Sequence, residues 1–72
     1  MTELVSYIVT SLVDDKEHVS VTEDGDVITV RVAKDDMGKV IGKQGRIIKA
    51  IRSVVKAASI KAGRNCTVEI DE

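Results

Sequence analysis

Gly42 and Gly45 stand three residues apart with only Lys43 and Gln44 between them, and Arg46 and Lys49 follow closely. Glycines at this spacing answer one of two physical demands. One is a backbone turn too tight for a Cβ, with φ outside the usual region. The other is close approach of a ligand's own backbone to the chain. Val40 and Ile41 precede the pair, and a helical pattern begins directly after it. The free N–H groups and positive dipole end of that second helix point into the space around the loop. Phosphate oxygens suit such a place. Lys43, Arg46 and Lys49 add cations on or just after it. The segment therefore has the parts to grip a sugar-phosphate backbone without reading it. The same spacing also describes an ordinary tight corner between two helices.

Other chemistry finds few residues to work with. His18 is the only histidine and Cys66 the only thiol, so one chain can build neither a zinc site nor a Cys-His pair. His18 reads as an outward strand residue and Cys66 as a small apolar residue at a strand start. Asp35 and Asp36 are adjacent, so their side chains diverge, and capping at a helix start explains them more simply than paired acid catalysis. Gly38-Lys39-Val40-Ile41-Gly42-Lys43-Gln44 fails as a P-loop: three residues separate its glycines where four are needed, and Gln stands where a metal-binding Ser or Thr belongs. No enzyme activity, cofactor or metal is expected. Recognition of bases by aromatic stacking is also excluded, because Tyr7 is the only aromatic side chain.

The elements that must position the glycine pair are legible along the chain. Thr2 is an N-cap candidate, and the pairs Leu4/Val5, Ile8/Val9 and Leu12/Val13 repeat every four residues, predicting an amphipathic helix to about Asp14. Val19 and Val21 alternate with polar residues as a strand. Glu23-Asp24-Gly25-Asp26 reads as a turn, and Val27 to Ala33 as a second strand with Ile28, Val30 and Val32 on one face. A short helix opens at Asp35 and Asp36 and stops at Gly42. A longer one runs from about Arg46 to Ala62, ended by Gly63. Its apolar arc takes in Ile47, Ile48, Ala50, Ile51, Val54, Val55, Ala58 and Ala62, while Ile60 falls among Lys49, Ser53 and Lys56 on the opposite side. Cys66 to Asp71 alternates as a third strand. The expected fold class is α+β, in the order α-β-β-α-α-β, a three-stranded sheet covered on one face by helices and forming one domain over residues 1–72.

Charge sharpens this picture. The net charge is only −1, yet Met37 to Arg64 holds eight basic residues and no acid, and ten of the twelve acids lie outside residues 31–64. A fold can turn the basic half toward a polyanion while the chain stays near neutral. No apolar run approaches the roughly 20 residues that span a bilayer. Met1-Thr2-Glu3 lacks the basic stretch of a signal peptide, so the cytosol is the expected compartment. A single cysteine agrees with a reducing setting. A chain this short buries about 60% of its unfolded surface, so pairing with another subunit would add stability.

Val40-Ile41-Gly42-Lys43-Gln44-Gly45-Arg46 resembles the signature of KH domains, in which an aliphatic pair precedes G-x-x-G and a basic helix follows. The element order resembles the type II arrangement. Length and the Met37-Gly38-Lys39 lead-in resemble the KhpA family, small bacterial stand-alone KH proteins; Met37 stands where a branched aliphatic residue is usual. The resemblance implies single-stranded RNA as partner, with Gly42 to Gly45 clamping the backbone of about four nucleotides. It implies an RNA-binding set of Lys39, Val40, Ile41, Gly42, Lys43, Gln44, Gly45, Arg46 and Lys49, with apolar residues of the second strand walling a groove for bases. It further implies a post-transcriptional regulator or RNA chaperone that pairs as a homodimer or with a KhpB (Jag/EloR)-type KH protein. Lys56, Ile60 and Arg64 mark the candidate partner surface. The competing expectation is a protein-binding adapter that uses the long helix, with RNA binding minor.

Overall fold

The computed structural model describes residues 1–71; Glu72, counted above with the acidic half, lies outside the described residues. Helix α1 spans Thr2–Leu12, strand β1 Ser20–Asp24, strand β2 Val27–Arg31, helix α2 Met37–Ile41, helix α3 Arg46–Lys61 and strand β3 Thr67–Ile70. Single 3-10 turns at Lys16–His18 and Lys34–Asp36 and a tight turn with left-handed Gln44 at Lys43–Gly45 join them. The class is α+β and the order of the main elements is the expected one.

The four-residue repeat of α1 turns Val5 and Val9 fully inward and leaves Leu4, Ile8 and Leu12 on a half-buried flank. Met1, not Thr2, is the N-cap, and its carbonyl accepts the Val5 N–H. The helix stops at Leu12, short of Asp14, because the N–H groups of Asp14 and Asp15 are turned toward the Asp36 carboxylate. His18 is not in a strand. It closes the first 3-10 turn with Nδ1 2.6 Å from Asp15 Oδ2, and this bond raises its pKa above the usual 6.5.

β1 and β2 pair antiparallel from Ser20↔Arg31 to Asp24↔Val27, so Glu23 and Asp24 belong to the strand and the turn is only Gly25-Asp26. β2 ends at Arg31, two residues earlier than its alternation suggests. It is the central strand, parallel on its other side to β3 in the register Val27↔Thr67 to Val30↔Ile70. A parallel pair needs a long crossover, and α2 and α3 supply it. Ile28, Val30, Cys66 and Val68 form the sheet's contribution to the core, facing Val5, Val9, Val40, Ile48, Ile51 and Val55 from the helices. The outer face is polar apart from Val27: Thr22, Thr29 and Glu69 stand in one row across the three strands.

α3 buries a narrower stripe than its apolar arc suggests. Ile48, Ile51, Val55 and Ser59 are buried, whereas Ala50 and Ala62 are exposed and Val54 is 50% exposed. The helical layer over this small sheet is shared with α1, so α3 meets the core along one i, i+3, i+4 row. Its C-terminus closes as a Schellman motif, with the Arg64 N–H on the Ser59 carbonyl at 2.7 Å and the Gly63 N–H on the Ile60 carbonyl at 2.9 Å.

Candidate functional site

The glycine pair sits where α2 hands over to α3. Gly42 ends α2 at φ 77°, ψ 173°, a conformation that only glycine adopts readily. A Cβ there would lie 2.5 Å from Ile47 Cγ1 and 2.8 Å from Ile47 Cβ. Gly45, at φ 73° and ψ 18°, is left-handed but has open space around it, its nearest neighbour being Ile48 Cγ2 at 3.9 Å. The first glycine thus meets both a dihedral and a packing demand, and the second a dihedral demand alone. Gln44 between them is left-handed as well (φ 58°, ψ 24°), a rare state for a residue with a side chain. The Gly45 N–H closes the turn on the Gly42 carbonyl at 3.1 Å.

The result is a tight turn, not helical in its dihedrals, whose side chains, Lys43 and Gln44, are exposed, directly before the 16-residue α3. No side chain caps α3 at its N-terminus. Arg46 and Lys49 are exposed on its first turns, and Arg46 Nη2 lies 3.4 Å from Gln44 Oε1. Among the described residues, Lys43, Arg46, Lys49, Arg52, Lys56 and Lys61 have no carboxylate at ion-pair distance. The Arg and Lys residues that do have carboxylate partners, Arg31, Lys39 and Arg64, all lie off the loop and off α3. The loop and α3 therefore carry cations that no described carboxylate of the chain pairs with.

The expected RNA-binding set is not all on one surface. Val40 is fully buried and supports the loop from within, and Ile41 is half-buried against the core. Lys39 is drawn to Asp14 and Asp36 rather than to the loop; its hydrogen bond to Asp14, with that to Asp36, raises its pKa above the usual lysine value. Of the second strand's apolar residues, Ile28 and Val30 lie wholly in the core because β2 is central. Only Val32, just past its end, reaches a cavity. That cavity, about 730 Å³, lies between the ends of β2 and β3 and the start of α2, lined by Arg31, Val32, Lys34, Met37 and Asp71. A smaller hollow of about 400 Å³ separates α3 from the edge strand β3, with Arg52 and Lys56 on one wall and Cys66 to Glu69 on the other. Arg52 Nε donates to the Val68 carbonyl at 3.0 Å there. Arg31, Lys34, Arg52 and Met37 were absent from the expected set. Arg52 stood in the acid-free basic stretch, whereas nothing local flags Arg31 or Lys34.

The candidate partner residues also separate. Ile60 is 57% exposed and Lys56 is exposed, but Arg64 is committed within its own chain to Glu23, Asp26 and the Gly25 carbonyl. Tyr7 is a surface residue of α1, 73% exposed.

A three-stranded mixed sheet, helices on one face and a G-x-x-G turn between two of them define the KH class of domain. The family model described as "KhpA/KhpB, KH domain" matches residues 2–70, and the chain belongs to that family. It is 54% identical to an RNA-binding protein KhpA of Clostridium perfringens, with 97% of this chain and 99% of the relative covered. It is 49% identical to one of Clostridium acetobutylicum with the same coverage, and 47% identical to one of Listeria monocytogenes over the whole of both chains. No solved structure matches the chain. Among the described residues no helix is long and apolar enough to cross a membrane, and no group of three or more His, Cys, Asp or Glu side chains could hold a metal ion.

Proposed function

We propose that this protein is a single KH module that binds single-stranded RNA by its backbone at the Gly42–Gly45 turn, and that it works by positioning rather than by chemistry. The observation that carries this is the turn itself: a glycine-dependent exposed turn ahead of a helix with no side-chain cap, beside cations that have no carboxylate at ion-pair distance among the described residues. The relatives' name, RNA-binding protein KhpA, supports the same reading. In this reading Lys43, Arg46 and Lys49 attract phosphates, and the two hollows along α2, α3 and β3 receive bases through aliphatic and backbone contacts. Few contacts imply modest affinity and weak base selectivity. In the cytosol such a module would serve as a post-transcriptional regulator or RNA chaperone.

The test is binding of short single-stranded RNA by wild type and by Lys43→Asp/Gln44→Asp, with circular dichroism confirming both folded. The variant keeps both glycines and puts two negative charges where phosphates would lie, so affinity should fall at least about tenfold. Wild-type log K should fall against log salt with a slope of about −2 to −3, as expected for three or four neutralised phosphates. Equal binding by both proteins, or a slope near zero, contradicts the proposal.

A partner surface on α3 is favoured by one observation: Val54 and Ile60, on the two flanks of its exposed side, are both large, apolar and half or more exposed on a helix otherwise dressed there with Lys, Arg, Ser and Ala. A second copy of the chain, or a KhpB-type KH protein, would cover them. Linking two weak RNA sites in this way would raise affinity through effective concentration. Ile60→Asp should give a folded monomer in sedimentation where the wild type assembles; the same assembly state for both removes Ile60 from any interface.

A further inference from the structure

We propose that Asp36 and Lys39 form a strut that fixes the position of the Gly42–Gly45 turn against the end of α1, acting on RNA through the turn without touching it; this rests on the RNA reading above. Asp36 is 3% exposed, and a buried carboxylate is costly unless it is fully hydrogen-bonded. It accepts from the N–H of Asp15 at 3.0 Å, the N–H of Asp14 at 3.3 Å and Lys39 Nζ at 3.3 Å. Lys39 donates in turn to the Asp14 carboxylate. Two residues thus tie together the chain leaving α1, the 3-10 turn Lys34–Asp36 and helix α2.

α2 needs such a tie. It has five residues, too few for a helix to persist by its own propensity, and Val40 is its only buried side chain. It spans only about 7.5 Å, so any rotation at its first residue arrives almost undiminished at Gly42. Val40 anchors one face of α2 and Lys39 the adjoining one, and the two together set its direction. The N–H of Asp15, with those of Asp14 and Lys39, holds the Asp36 carboxyl below its usual value against the opposing effect of burial. The strut is therefore in its charged form throughout the neutral range.

The sign of one substitution separates this role from a simple electrostatic one. Asp36→Asn removes a negative charge close to an RNA site, so Coulomb attraction alone predicts tighter binding. In the strut, the amide NH₂ would face an N–H donor or the Lys39 ammonium, α2 would shift, and binding should weaken about fivefold to tenfold. Lys39→Gln provides the second arm. As a direct phosphate contact Lys39 would contribute about 0.7 to the salt slope. As part of the strut, its loss should lower affinity and leave the slope unchanged. Tighter or unaltered binding by folded Asp36→Asn, or a reduced slope for Lys39→Gln, overturns the proposal. If Asp36→Asn fails to fold, Lys39→Gln decides alone. If wild type binds no RNA, the RNA reading fails. The strut then stands or falls on the Gly42 and Gly45 amide resonances of the free protein, which Lys39→Gln should displace.

Discussion

Alanine at position 42 should leave the protein largely unfolded at 25 °C, whereas alanine at position 45 should leave it folded with a lowered melting temperature. Both positions have positive φ, but their dihedrals differ. Gly42 occupies the mirror-β region, where a residue with a Cβ is strained by about 1–3 kcal/mol. Gly45 is left-handed, where the cost is about 1–2 kcal/mol. Packing widens the gap. A Cβ added at position 42 would meet three atoms of Ile47 within 2.9 Å, one of them Ile47 Cβ, which no rotamer change can move. Ile47 lies in the first turn of α3 beside the core, so relief requires α3 to shift. A chain of this size has about 4–11 kcal/mol of stability in all, and strain plus displacement consumes most of it. Thermal melts of Gly42→Ala and Gly45→Ala decide the matter. Similar melting temperatures would mean that Ile47 yields easily and that the turn is softer than its geometry indicates. Ile47→Ala in the Gly42→Ala background should rescue little, since the offending Cβ remains.

This contrast marks how far the sequence can be read. The glycine spacing and its polar centre pointed to the turn, and the four-residue repeat of α1 and the alternation of β2 pointed to their buried faces, because these signals are local. The division of labour between Gly42 and Gly45 was not legible: the spacing is symmetric, and only the Ile47 side chain breaks the symmetry. Asp36 is the clearer case. A carboxylate at a helix start reads as a cap, yet its partners are backbone N–H groups 21 and 22 residues away. Lys39 likewise looked like one more cation on the way to the loop, and only the fold sets Asp14 beside it. Arg64 reads as a free cation near Ile60, and only the fold lays Glu23 and Asp26 of the hairpin against it. His18 was misplaced because alternation around Val19 and Val21 carries no mark of where pairing begins, and the register starts at Ser20. For Asp36, Lys39 and Arg64 the missing information was a contact between segments distant in sequence.

Ser59→Ala should cost about 1–3 kcal/mol, a large effect for the loss of one oxygen atom from a helix. Ser59 lies on the buried stripe of α3 and is fully enclosed. Its hydroxyl donates to the Lys56 carbonyl at 3.0 Å and accepts the buried N–H of Cys66 at 3.0 Å. Alanine would leave that N–H without a partner in a place water does not reach, and the cost of an unmet buried donor exceeds the net gain from an ordinary hydrogen bond. Ser53→Ala, on the exposed side of the same helix, is the control and should stay within about 0.5 kcal/mol of wild type. Urea unfolding should show a lowered midpoint for Ser59→Ala at an unchanged slope, which identifies lost stability rather than an altered unfolded state. The effect should also be local. Cys66 leads into β3, and the same Ser59 carbonyl receives the Arg64 N–H, so one residue fixes both the end of α3 and the start of the edge strand. Amide exchange at Cys66 to Val68 should therefore accelerate more than exchange in β2. That segment is also the wall of the hollow facing Arg52 and Lys56, so loosening it without touching the Gly42–Gly45 turn would test how much the β3 side contributes to RNA affinity. A variant that binds RNA as wild type does would assign the affinity to the turn and the cations of α3, and a weakened one would give β3 a share.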